Sequence, residues 1–283
     1  MTESTRPLII NLAPTGMVPT RAMSPHVPLR PDEIVSDVLR AAQLGLTIVH
    51  LHARDENGEP THRKEIYARI IGGIREHRPD LILCVSCSGR RLADLAQRAE
   101  VLELAGDLKP DMASLTLSSL NFPSQASINP PDVVKGLAQR MLGCGIKPEL
   151  EIFDLGMINM LNHLLSRNIV RPPLYANLLL GNLATAQADF LDIGVLVSKL
   201  PKGTLWSLTG LGNAQLPVAA LAVAGAPGVR IGLEDNLWLD PQRSWPARNA
   251  DLVERVHRLA QVLGRPMMSP QALRRELRLG DNL

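Results

Sequence analysis

The sequence predicts a single-domain (β/α)8 TIM barrel, and three observations carry that prediction. Short β-type runs recur eight times, and amphipathic segments fall between them. No G-x-G-x-x-G turn follows the first run, as a doubly wound nucleotide-binding sheet would require. The chain has 283 residues, 45% hydrophobic and 20% charged, enough to bury one large core.

The β-type runs are 8–14, 47–54, 81–88, 112–119, 147–154, 174–181, 204–212 and 228–235. Residues 1–7 precede them as a short N-terminal extension, and 1–283 reads as one domain without linker or low-complexity segment. Helical spacing of apolar residues marks 31–45, 63–77, 91–104 and 247–264. Pro31, with Asp32 and Glu33 behind it, opens the first of these, and Gly45 and Gly264 close the first and last.

Composition removes several function classes. A formal net charge of +2 without any block of like charge leaves no electrostatic footprint for nucleic acid. The first ten residues lack the basic-then-apolar layout of a secretory signal, and no apolar stretch is long enough to cross a bilayer. Three cysteines do not make a disulfide framework. Cys84 and Cys87 stand three apart on one strand, hence on opposite faces, and are expected as core thiols. The expected setting is the reducing cytoplasm.

The informative residues are polar ones on strands built to be buried. His50, His52 and Arg54 share one face of the second strand, with Val49, Leu51 and Ala53 on the other. Ser86 and Ser88 end the third strand, Ser114, Thr116 and Ser118 the fourth, and Glu149 and Glu151 lie on the fifth. Arg230 and Glu234 mark the eighth, followed by Asp235 and Asn236. Unpaired burial of such groups is costly, so they are expected to form one polar basin at the C-terminal rim, where barrel enzymes carry their sites.

Closure puts strand eight beside strand one, which borders strand two. Glu234 is then near enough to join His50 and His52 as three ligands of a catalytic zinc with one open position. Glu151 is favoured over Glu149 as the site carboxylate, with Glu149 lower in the barrel against a cation such as Arg230. Arg54 and Arg230 are expected to pair with carboxylates or bind substrate. His26, His62, His77, His163 and His257 fall in predicted loops or helices and read as solvated. Their positions argue against a metal-dependent amidohydrolase, which needs further histidines on strands five and six.

The motifs APTG after strand one, HLHARD on strand two, MASLTLSSLNF on strand four, PELEIFDLGM on strand five and VRIGLEDN on strand eight occur in this order. With ARNADLVERVHRLAQVLGRPM near the end, they resemble the β-keto acid cleavage enzymes, such as the 3-keto-5-aminohexanoate type, over nearly the whole chain. The resemblance implies a zinc-dependent, cytoplasmic homotetramer with one zinc per chain, turning a β-keto acid plus acetyl-CoA into acetoacetate plus an acyl-CoA. It implies His50, His52 and Glu234 as zinc ligands, and Asp235 and Arg230 in proton transfer. Ser86, Gly89, Ser114 and Thr116 would hold the keto acid, with Glu151 nearby. Beside Arg230, Asp235 is expected to have its pKa held down.

Departures from the aminohexanoate enzymes bear on the substrate. Val18 stands where they carry an acid that grips the ammonium, and SCSGRR and GNLAT replace glycine-richer turns at the mouth. Val18 points to a neutral β-keto acid, while Arg21, Arg90 and Arg91 leave an acidic tail as the second option. Two readings outside the family remain: a metal-dependent aldolase, lyase or hydrolase without CoA, and a non-catalytic binding protein on a decayed barrel. An acetyl-CoA requirement separates the first, and turnover with bound zinc the second.

Overall fold

The computed structural model describes residues 6–280; the expected extension therefore lies, over residues 1–5, outside the described residues. Eight parallel strands close into a barrel: β1 (Ile9–Leu12), β2 (Ile48–Leu51), β3 (Ile82–Val85), β4 (Met112–Thr116), β5 (Lys147–Ile152), β6 (Tyr175–Leu180), β7 (Leu205–Gly210) and β8 (Gly228–Ile231). Each strand pairs with its neighbours in sequence, and β1 closes the ring by pairing with both β2 and β8. No described helix is long and apolar enough to cross a membrane.

The sequence dictates the helices through their buried stripes. In α1 (Pro31–Ala42), Ile34, Val38, Ala41 and Ala42 are buried, and the Glu33 carboxylate accepts the Leu29 and Arg30 N–H groups at 3.0 and 3.1 Å. The helices α2 (Lys64–His77), α3 (Leu95–Ala99), α4 (Pro131–Gly143), α5 (Leu155–Ser166), α6 (Phe190–Lys199), α7 (Gln215–Gly225) and α8 (Asn249–Val262) follow. The helix expected over 91–104 is broken: α3 gives way to a 3-10 turn at Glu100–Glu103. Within α3 the buried Arg98 guanidinium is held by the Cys87 carbonyl and the Asn129 side chain at 2.8 and 2.7 Å.

Strand alternation sorts the core into two layers. Ile10, Leu12, Val49, Leu51, Leu83 and Val85 face the helices, while Ile9, Ile48, Ile82, Cys84, Met112, Tyr175 and Leu205 fill the barrel. Cys84 inside and Cys87 outside take the opposite faces expected of them. A further helix, α9 (Pro270–Leu277), adds Leu273 and Leu277 to the interior cluster. Arg274 pins it by donating to the Asp80 and Leu81 carbonyls and to the Asp111 carboxylate. The N-terminal mouth of the barrel is thereby sealed, and chemistry is left to the opposite end.

Candidate active site

At the C-terminal end the strand expected over 47–54 stops early. β2 ends at Leu51, and Ala53–Arg54 pairs instead with Pro60–Thr61 in a small antiparallel ladder. His50, on the strand, is fully buried; His52, just past its end, faces the rim. Glu149 on β5 receives His50 Nδ1 at 2.5 Å, and its other oxygen accepts from Asn11 on β1 at 2.7 Å. The Nδ1 proton is assigned from this network, which leaves His50 Nε2 directed at His52 Nε2, 3.3 Å away. Glu234 completes the group, with Oε1 at 3.1 Å from His52 Nε2 and Oε2 at 3.9 Å from His50 Nε2.

Glu234 is delivered by a tight turn after β8. Gly232 adopts φ +147°, and a Cβ there would meet the Ala13 carbonyl oxygen at 2.0 Å, so only glycine fits. Gly16, from APTG, lies against the Glu234 side chain, where a Cβ would sit 2.6 Å from Cγ. The Gly232 carbonyl accepts both the Asp235 and the Asn236 N–H, and the curled backbone turns Glu234 and Asp235 toward one cavity although they are adjacent in sequence.

Arg230 holds the acidic groups together. Its buried guanidinium lies 3.1 Å from Glu234 Oε1 and 3.6 Å from Glu151 Oε1, and donates to Asp235 at 3.1 and 3.3 Å. Glu151 also accepts the Thr116 hydroxyl at 2.6 Å. The Asp235 expectation is corrected here: its pKa is raised, because burial and the Glu234 charge outweigh Arg230. One guanidinium shared among several carboxylates cannot hold all of them down. Burial opposes ionisation of Glu149 as well, but His50, Arg230 and the Asn11 hydrogen bond hold it at about 2. His50 moves up against the burial penalty through Glu149 and Glu234, while burial moves His52 down.

The cavity above these groups has a volume of about 730 Å³. His52, Ser86, Thr116, Glu151, Arg230, Glu234, Asp235 and Val18 all line it. Gly89 and Ser114 stand behind its wall. The Ser114 hydroxyl accepts the Cys87 N–H at 3.1 Å, and a Cβ on Gly89 would meet the Ile128 carbonyl at 2.5 Å. Arg54 is not a site residue: it donates to the Gly16, Pro19 and Gly58 carbonyls and clamps the β1 and β2 loops. Arg21 is tied to Glu33 and the Pro25 carbonyl, and Arg91 to Glu59, while Arg90 turns into the cavity.

Two further sequence readings change. Glu149 does sit low in the barrel, but its close partner is His50 rather than Arg230. His62 is 2% exposed rather than solvated, with Nε2 donating to the Ser88 carbonyl at 3.0 Å and burial pushing its pKa down to about 4. Sequence reasoning passed over Asn11, Phe122 and Phe153. Asn11 carried a usable signal, a lone polar residue on the apolar first strand.

The donor set fits a divalent cation. Two imidazole Nε2 atoms and a carboxylate lie within 4.8 Å of one another, and Glu234 Oε2 is buried without a hydrogen-bond partner. His50, Cys84 and Glu149 also cluster within 4.8 Å, but there the two charged groups are fully buried and already satisfy each other.

A model of the beta-keto acid cleavage enzymes matches residues 7–279. A 3-keto-5-aminohexanoate cleavage enzyme of Fusobacterium nucleatum is 34% identical over 274 residues, 96% of this chain and 98% of the relative. A 3-oxoadipate:acetyl-CoA acetyltransferase of Cupriavidus necator is 36% identical over 266 residues, covering 93% and 92%. The apo structure of ObcA matches with a TM-score of 0.78 at 21% identity, over 91% of this chain and 66% of that one, a likeness of fold.

Proposed function

The chain belongs to the β-keto acid cleavage enzyme family, and from that premise we propose that it converts a β-keto acid and acetyl-CoA into acetoacetate and an acyl-CoA. The observation that carries the reading is one cavity lined by His52, Glu234, Asp235 and Arg230, with His50 directly beneath. His50, His52 and Glu234 would hold one zinc ion per chain. Bound there, zinc supplies Lewis acidity toward a keto oxygen.

The chain's own groups do the rest. Asp235, raised by burial, is a stronger base than a solvated carboxylate and takes a proton from the carbon between ketone and carboxylate. That carbon forms a bond to the acetyl carbonyl, and the CoA thiolate leaves. The thiolate then attacks the original acyl carbonyl, the old carbon–carbon bond breaks, and Asp235 returns its proton to the carbon of departing acetoacetate. Arg230 fixes Asp235 through two hydrogen bonds and carries the balancing charge. Ser86 and Thr116 face the keto acid with Glu151 beside them, while Ser114 and Gly89 hold the turn that presents Ser86.

The same reading extends to a homotetramer in the cytoplasm. Exposed Leu183, Phe190 and Leu191, at 77, 79 and 74%, offer apolar surface for self-association. Sedimentation of the purified protein checks this part.

The deciding experiment incubates a panel of β-keto acids with the purified enzyme, with and without acetyl-CoA, and follows acetoacetate and acyl-CoA together. Cleavage that proceeds without acetyl-CoA would replace this reading with a CoA-independent lyase. His50→Ala should lose most of the bound metal, because two ligands hold a divalent ion poorly.

A further inference from the structure

Arg90 is placed unlike any other arginine of the cavity. It lies half-buried in the wall, its guanidinium carbon 3.4 Å from the centroid of the Phe122 ring, and Phe122 packs edge-on against Phe153 with centroids 5.7 Å apart. The aromatic pair fixes the guanidinium plane and leaves its N–H edge for a ligand. Among the described residues no carboxylate lies within ion-pairing distance of Arg90, and its side chain donates no hydrogen bond.

The carboxylates of the cavity are committed elsewhere. Glu151 is held by Thr116 and Arg230, Glu234 by His52 and Arg230, and Asp235 by Arg230. Burial lowers the Arg90 pKa against the pull of Glu234, Glu151 and Asp235, yet a guanidinium remains charged at neutral pH. A half-buried cation facing a cavity without a counter-ion is an incomplete pair, and an incoming anion completes it. Arg230 differs, since the Glu151, Glu234 and Asp235 carboxylates lie within 3.6 Å of it and already balance its charge.

We infer that Arg90 is the specificity-determining residue for the substrate tail, and that the preferred β-keto acid carries a second carboxylate at the end remote from the reacting carbons. The inference rests on the proposed β-keto acid cleavage. It goes beyond it by choosing an anionic tail over the neutral one that Val18 alone suggests. Val18 lines the same cavity and adds no carboxylate that would compete for Arg90 or grip an ammonium.

The test uses the metal-loaded enzyme and two probes of equal length, a six-carbon 3-oxo diacid and the neutral six-carbon 3-oxo acid. Calorimetric binding and kcat/KM with acetyl-CoA are measured for wild type, Arg90→Gln and Arg90→Lys, after thermal melts show that both variants fold. Wild type should bind and turn over the diacid at least tenfold better. Arg90→Gln should bring that ratio to within about threefold of one, and Arg90→Lys, which keeps the charge without the planar fork, should fall between.

A wild-type ratio near one overturns the inference. So does an equal loss for both probes in Arg90→Gln, which would place the guanidinium on the carboxylate common to them. A rise in the acetyl-CoA KM alone would put it on a CoA phosphate and also overturn it. Selective, Arg90-dependent binding of the diacid with no acetoacetate from either probe supports the tail subsite and overturns the proposed reaction instead.

Discussion

The two ends of the barrel are made from the same strands and obey opposite rules. At the N-terminal end Ile9, Ile48, Ile82, Met112 and Leu205 meet Leu273 and Leu277 of α9, and Arg274 and Thr47 there are paired, with Asp111 and the Asp80 and Leu81 carbonyls and with the Met268 carbonyl. At the C-terminal end Arg230, Glu151, Glu234 and Asp235 share a cavity wall, and Arg230 Nη1 and Glu234 Oε2 have no hydrogen-bond partner. Asn11, Glu149, Tyr175 and Ser207 form a hydrogen-bonded layer between them, including Tyr175 Oη to Ser207 Oγ at 2.7 Å. The floor buries apolar groups, whereas the rim buries charge beside a cavity, and charge is the part that chemistry uses.

Substitutions at the two ends should therefore separate activity from stability. The largest effect is expected at the rim, where Asp235→Asn should lower kcat by about 10²–10⁴-fold, the usual range for a general base, with metal content and fold retained. Metal analysis beside kinetics checks it; loss of metal together with rate would make Asp235 a ligand or a structural group. Leu273→Ala attacks the floor and should cost about 2–5 kcal/mol of stability in denaturant unfolding, with kcat essentially unchanged. A proportionate fall in kcat would show that the two ends are coupled.

The rim should also be the pH-sensitive end. His62 has a folded-state pKa of about 4 against 6.5 for the free side chain. Between those values the unfolded chain binds a proton that the folded one refuses, because His62 Nδ1 is buried without a partner. Its contribution is thus fully present above about pH 6.5 and declines as pH falls to about 4, by up to about 3 kcal/mol. In unfolding measured across that window, His62→Gln should flatten the slope. An unchanged slope would assign the acid sensitivity to other groups.

The smallest effect lies in the layer between the ends. Glu149→Gln keeps an acceptor for His50 Nδ1 but removes the charge, and should weaken metal binding by about 10–100-fold in competition with a chelator. Unaltered affinity would mean that Glu149 only fills the barrel.

Local periodicity by itself determined the strand number, the opposite faces of Cys84 and Cys87 and the common face of His50 and His52. Each follows from the period-two alternation of a strand and needs no partner to be known. Ring closure, itself predictable, then made Glu234 a candidate neighbour of that face. Only the tertiary structure decided that Glu149, ninety-nine residues from His50, takes its Nδ1, that Arg54 clamps loops, that His62 is buried and that Asp235 is raised rather than lowered. It also decided which of Arg21, Arg90 and Arg91 faces the cavity without a counter-ion. The physical reason is common to all of these. Alternation is a property of one strand, whereas an ion pair, a burial penalty or a pKa sums over every group within a few ångströms, and closure brings those groups from all around the barrel.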